Sequence, residues 1–172
     1  DTPLIIDALQ YSNWSEKIFC QMNKAGVAAA HVTICYHEDF KETIKNIIAW
    51  NRRFEQFPNL IVRGCTHADI LRAHAEGRTA IVFGFQNSSP IENDIGLVKI
   101  CYQLGARFMQ LSYNNQSLLA TGCYEKEDAG ITRMGQQVIR EMNQVGMVVD
   151  MSHSAKRSTL EAIEISERPI AI

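Results

Sequence analysis

A chain of 172 residues suits one domain, spanning residues 1–172. Its 46% apolar and 21% charged residues match an ordinary globular protein, and a formal net charge of -2 leaves no basic footprint for nucleic acid. No apolar stretch approaches the roughly 20 residues that cross a bilayer, so a membrane segment is not expected.

The first apolar run, residues 4–9, predicts a strand that delivers Asp7 and Gln10 toward its C-terminal end. A helix over 13–25 follows and stops at Gly26, a position for the left-handed residue that ends many helices and that a Cβ strains. The same helix–Gly–strand punctuation returns at Gly77, Gly105 and Gly146. Strand 28–34 places His31 in the core and leads to Tyr36 and His37; beside Glu38 and Asp39, His37 reads as a helix start. Helix 38–56 is amphipathic through Phe40, Ile44, Ile47, Ile48 and Phe54. "LIVRG" (60–64) reads as a short extra strand, and helix 66–76 carries His67 and His74 toward solvent.

Strand 79–86 ends in Gln86 and Asn87, and helix 91–104 comes next. Strand 107–113 runs into "SYNNQS" (112–117), where Asn114, Asn115 and Gln116 either bind a substrate or satisfy their own turns. "YEKED" (124–128) reads as an exposed loop. Thr132 caps a helix over 132–145 with Met134, Val138, Met142 and Val145 on one face. Strand 147–152 closes on Asp150, Ser152 and His153; helix 155–166 and a sixth strand, 169–172, complete the series.

This βαβα order implies an α/β fold with a parallel sheet. Two architectures share it, the (β/α)8 TIM-type barrel and the doubly wound open sheet. No G-x-G-x-x-G or Walker A motif follows any strand, whereas polar clusters stand at the C-terminal strand ends, where barrels place their chemistry. The barrel is favoured, and about six of its eight strands are present. A six-stranded set leaves open edges, which points to a partial record of a longer barrel. The five cysteines are scattered without a C-x-x-C pair and read as reduced thiols of a cytoplasmic protein, with Cys123, in a Gly-rich loop, the candidate for reactivity.

"GITRMGQQVIREMNQVGMVVDMSH" (130–153) resembles the membrane (renal) dipeptidase family, in its Gly-Ile-Thr helix start, its "EMN-x-x-G" helix end and its "D-x-S-H" strand end. "GFQNSSPIENDIGLVKICYQLGARFMQLSYNN" (84–115) is similar to the family's next strand–helix–strand upstream, and "LIIDALQYSNW" aligns with its "D-G-H-N-D" opening. The resemblance implies a barrel with two zinc ions that hydrolyses dipeptides. The family's His-x-Asp pair falls on Leu9 and Tyr11, its bridging glutamate on Gln86, and its substrate-contacting histidine on Tyr113. Its zinc-binding histidine falls on His153 and is retained; a further histidine ligand and the acid/base aspartate belong after Ile172.

Paired zinc ions need imidazoles and a bridging carboxylate. Leu9 has no donor, Gln86 offers a neutral amide, and Tyr11 ligates only as a phenolate, with an ordinary pKa of about 10. At most one zinc is expected, on His153. If His153 points inward, strand alternation predicts that Met151 and Val149 do too, with Asp150 and Ser152 outward, and that Asp7, Leu9 and Tyr11 share an inward face. A mouth lined by Tyr11, Gln86, Tyr113 and His153, with Asn114 and Asp7 beside it, suits a polar small molecule. Asp7 equally suits a structural role, accepting backbone N–H bonds. Three functions follow: a dipeptidase-like hydrolase of a dipeptide or small amide, a barrel that binds without hydrolysis, or metal-free acid/base chemistry at His153 and Tyr113. A homo-oligomer is compatible with each.

Overall fold

The computed structural model describes residues 3–172. The sheet is parallel throughout and runs β1 (Ile5–Gln10), β2 (Val27–Cys35), β4 (Thr79–Phe85), β5 (Ala106–Gln110) and β6 (Val148–Asp150) in order. A further short strand, β3 (Ile61–Arg63), pairs with the first residues of β4, and β5 takes over from Phe83 onward. "LIVRG" is therefore a strand, as its composition predicts.

The strand order climbs without reversing. A doubly wound sheet reverses at a switch point, so this order is that of a barrel wall. Helix placement agrees. Helices α1 (Glu16–Lys24), α2 (Phe40–Gln56), α4 (Gly96–Gln103), α5 (Arg133–Val145) and α6 (Lys156–Ile165) lie along the chain between the strands. They contribute Phe19, Trp50, Val98, Val138, Met142 and Ala162 to one apolar layer with Val32, Phe83, Met109 and Val149 of the strands. Full burial of a side chain such as Phe83 is worth about 1.5–3 kcal/mol.

One helix takes the other side. α3 (His67–Ala75) packs Ala73 and Ile70 against Ala29 and Ala80, which alternate with the helix-facing residues of their strands. Alanines at those positions let the helix approach the sheet, and a reciprocal capping box between Thr66 and Asp69 fixes its start.

Local signals placed most ends well. Thr132 accepts from Gly135 N–H at the start of α5, and Gly146 ends it at φ 90°. The expected helix over 91–104 is instead a 3-10 turn, Ser89–Ile91, followed by α4 from Gly96. Pro90 is tolerated in a first turn only, and Asp94 Oδ1 accepts from Gly96 N–H to restart the helix. The expected strand at 169–172 is a single parallel bridge, Asp150 to Ala171.

Candidate functional site

Strand β6 ends at Asp150, whose Oδ1 accepts from Ser152 N–H at 2.8 Å. The chain then turns, with Ser154 N–H donating to Met151 O and His153 at φ 65°. Facing this turn is the long segment that joins β5 to α5. The two are laced together: Cys123 N–H donates to His153 O at 2.9 Å, Ala155 N–H to Thr121 O at 2.9 Å, and the hydroxyls of Ser112 and Ser154 lie 2.9 Å apart. Tyr124 N–H donates to Asn114 O at 2.9 Å. Gly122 makes this lacing possible, because a Cβ there would stand 2.1 Å from the carbonyl carbon of Asn114.

The result is a contact between two side chains on separate elements. His153 Nδ1 lies 2.8 Å from Asn114 Oδ1. An amide oxygen only accepts, so Nδ1 carries the proton and Nε2 keeps its lone pair. Cys123 Sγ lies 3.6 Å from the same oxygen. Asn114 is itself at φ 63°, so both members of the pair hold left-handed backbone, at about 1–2 kcal/mol each. Residues held this way cluster at functional sites.

Tyr113 packs on this pair, its ring centroid 4.4 Å from that of His153. Its other neighbours are Tyr36 at 5.4 Å and His37 at 5.5 Å, both edge-to-face. Tyr11 joins through Tyr36 at 5.9 Å. Burial pushes the Tyr36 phenol above its ordinary value, which keeps it a neutral hydrogen-bonding group. Asn87 Nδ2 donates to His37 Nδ1 at 3.2 Å, which leaves the His37 proton on Nε2.

The structure thus joins four of the residues singled out from sequence, Tyr11, Tyr113, Asn114 and His153, and adds Tyr36 and His37. Gln86 is buried after β4, and its side chain makes no hydrogen bond to Tyr113, Asn114 or His153. Asp7 lies elsewhere, on a cavity of about 500 Å³ along the concave face of the sheet, and accepts from Leu9 N–H at 3.2 Å. Tyr11 does not share that face with Asp7 and Leu9; it lines a separate groove with Trp14 and Tyr36.

The expected alternation in β6 is inverted. Val149 and Met151 belong to the helix-facing core, while Asp150 and Ser152 line the concave cavity and Asp150 accepts from Gln110 Nε2 at 3.2 Å. The reason is the turn: alternation runs on through Ser152, and the left-handed residue at 153 then redirects the chain. His153 reaches the rim through that turn and not by strand parity.

His31 is a second imidazole of note. It is buried on the concave side, donates Nδ1–H to Ala8 O at 2.6 Å, and stacks on Phe108 at 4.4 Å. Its Nε2 has no partner and lies where a Cβ on Gly84 would be, 1.6 Å away. A lone glycine inside an apolar strand was the sequence signal for that close approach.

The donor set does not fit paired zinc ions. Among the described residues, no group of three or more His, Cys, Asp and Glu side chains is placed to hold a metal ion. At the positions onto which the resemblance carries the family's ligands, the side chains are an alkyl group, a phenol, an amide and one imidazole.

A family model described as membrane dipeptidase (peptidase family M19) matches residues 9–172. Dipeptidase tcpJ of Claviceps purpurea is 23% identical over 159 residues, which cover 91% of this chain and 36% of that protein. An amidohydrolase of Pseudomonas aeruginosa superposes with a TM-score of 0.95 at 37% identity, covering 97% of this chain and 51% of that one. The probable dipeptidase PvdM of the same organism superposes at 0.85 with 17% identity, over 97% of this chain and 51% of that one, a likeness of fold. This chain therefore spans about a third of the curated dipeptidase's length and about half of each solved chain.

Proposed function

The chain belongs to the membrane dipeptidase family, and from that premise we propose that it forms the N-terminal part of a dipeptidase-like hydrolase acting on a dipeptide or a related small amide. The observation that carries this reading is His153. It stands at the end of β6 with Nδ1–H committed to Asn114 and Nε2 bare, the arrangement in which an imidazole accepts a proton or ligates a metal. In this proposal the site holds at most one ion, on His153, because Leu9, Tyr11 and Gln86 offer no charged cradle for a pair. Tyr113 and Asn114 border the substrate, with Tyr11 further along the same rim.

Domain extent, 1–172 as one partial barrel unit, belongs to the same proposal, as does a cytoplasmic setting, which the five unpaired thiols support. No helix among the described residues is long and apolar enough to cross a membrane.

A second reading is supported by the residues at three of the carried-over ligand positions, Leu9, Tyr11 and Gln86. On that reading the barrel binds a small molecule without hydrolysis. Full-length protein separates the two. The hydrolase reading expects turnover of a dipeptide panel and a loss of at least about 100-fold in kcat/KM for His153→Ala. Ligand-dependent thermal stabilisation without turnover of any dipeptide would replace it with the binding reading.

A further inference from the structure

Beside the Tyr113–His153 contact lies a second cavity, a cleft of about 560 Å³ bordered by His37, Asn87, Ser89, Glu92, Tyr113 and Asn115. Its walls are the loops that follow β2, β4 and β5, three neighbouring strands in the middle of the sheet, so this chain alone builds it. Tyr113 is the shared wall: one neighbour of its ring is His153, and another is His37 of the cleft. A ligand with its amide at His153 has this cleft as a place for one of its ends.

Polar residues make up most of the lining, Leu118 adds an apolar patch, and Glu92 is the one carboxylate; among the described residues no lysine or arginine lines the cleft. The hydroxyl of Ser89 is buried without a partner. Glu92 Oε1 accepts a long bond, 3.4 Å, from Phe40 N–H at the start of α2. That helix does not depend on it, since Asp39 already caps α2 by accepting from Glu42 N–H at 2.8 Å.

Backbone conformation singles out the same residue. Glu92 is held at φ 50°, ψ -121°, and with Asn114 and His153 it completes the non-glycine residues of positive φ among those described. Glutamate has neither the short side chain of asparagine nor the freedom of glycine to ease that conformation. Two of these residues hold the His153 side of Tyr113, and the third lines the cleft that Tyr113 also borders.

Resting on the dipeptidase-like reading, we propose that this cleft is a specificity site for a cationic end of the substrate, with Glu92 pairing to a primary ammonium such as a lysine side chain. A fixed negative charge among neutral hydrogen-bonding groups rewards an ammonium and leaves an alkyl chain of equal length unmatched.

The test uses full-length protein and two matched pairs, L-alanyl-L-lysine against L-alanyl-L-norleucine and the same pair in reversed order. Affinity is read by calorimetry or, where turnover occurs, as kcat/KM. In at least one order the lysine compound is favoured by about tenfold, the size of one charge-assisted hydrogen bond. Glu92→Gln brings that ratio to within about twofold by lowering the value for the lysine compound. Equal values for lysine and norleucine in both orders overturn the ammonium site while leaving the dipeptide reading intact, as does a preference that survives Glu92→Gln. Failure of all four compounds to bind or react overturns both.

Discussion

Gly122→Ala is the sharpest probe of how the rim is held. The added Cβ stands 2.1 Å from Asn114 C, 2.2 Å from Asn114 O and 2.4 Å from Asn115 N, all backbone atoms with no rotamer to yield. Carbon atoms in contact sit about 3.5–4.0 Å apart, so the two segments must separate by more than about 1 Å. One backbone hydrogen bond crosses that gap, Tyr124 N–H to Asn114 O, and two more hang on the atoms that move: Cys123 N–H to His153 O and His153 Nδ1–H to Asn114 Oδ1. At about 0.5–1.5 kcal/mol each, with about 1–3 kcal/mol of overpacking, the expected cost is at most roughly 2.5–7.5 kcal/mol, less whatever bonds survive relaxation. Urea titration of the full-length protein measures the loss, and 15N NMR of His153 shows whether Nδ1 stays protonated and hydrogen-bonded. Gly26→Ala is the control: φ is 73° and nothing lies within 4 Å, so only the left-handed backbone is penalised, by about 1–2 kcal/mol. If Gly122→Ala costs under about 0.5 kcal/mol and the His153 ring signals do not move, the lacing described for this rim is wrong.

Three further outcomes are expected. Burial holds the His31 imidazole below its ordinary value of 6.5, against the opposing pull of Ala8 O and of the charges on Asp150 and Asp7. The unfolded chain then takes up a proton that the folded one refuses, so stability is full above about pH 6.5 and declines as pH falls below it. His31→Gln should flatten that decline between pH 7 and 5, and an unchanged slope in urea titrations would count against the buried neutral imidazole. At the surface, Ile131 N–H first, and Arg157 with it, hold the Glu161 carboxyl below its ordinary value. Its contribution is present above the unfolded value near 4.3 and is lost as pH falls through the folded one, so Glu161→Gln should lower Tm at pH 7 but not at pH 3, and equal shifts at both pH values would refute this. Burial pushes the Cys101 thiol up to about 12 and raises Cys35 well above its ordinary value, whereas Cys123 is exposed. An aromatic disulfide reagent at pH 8 should therefore label Cys123 in a fast phase that Cys123→Ser removes, with Cys35 and Cys101 reacting only after denaturation; a fast phase that persists in the variant contradicts that order.

Glycine punctuation made the fold legible because its cause is local. Gly26, Gly77, Gly105 and Gly146 all take positive φ, as the helix–Gly–strand pattern requires, and each marks where an apolar strand begins. The side of the sheet on which a helix packs is not local. Nothing in "HADILRAHA" distinguishes α3, on the concave face, from the helices outside; Ala29 and Ala80, distant in sequence, make room for it. Of the expected rim, Tyr11, Tyr113, Asn114 and His153 come together, while Asp7 lies on the concave cavity and Gln86 makes no hydrogen bond to the others. Asp150 and Met151 exchanged faces against expectation because parity was counted back from His153, and the left-handed turn there breaks the count. His37 was read as a helix start; its contact with Tyr113 depends on two loops meeting across the sheet.

The two notable imidazoles show why residue type alone could not assign the site. His31 and His153 have the same tautomer, Nδ1–H donated to an oxygen and Nε2 bare. For His31 that lone pair is shut against Gly84 and flanked by Phe108, so the group is a packed element of the barrel's concave face. For His153 the ring is exposed at the rim, supported by Tyr113 and oriented by Asn114, so the lone pair is presented to whatever enters. The same donor geometry is closed off in one place and left open to solvent in the other. The difference is made by a missing Cβ at residue 84 and by a left-handed turn at residue 153. Neither histidine's own codon carries that information; it lies in the partners brought to it by the fold.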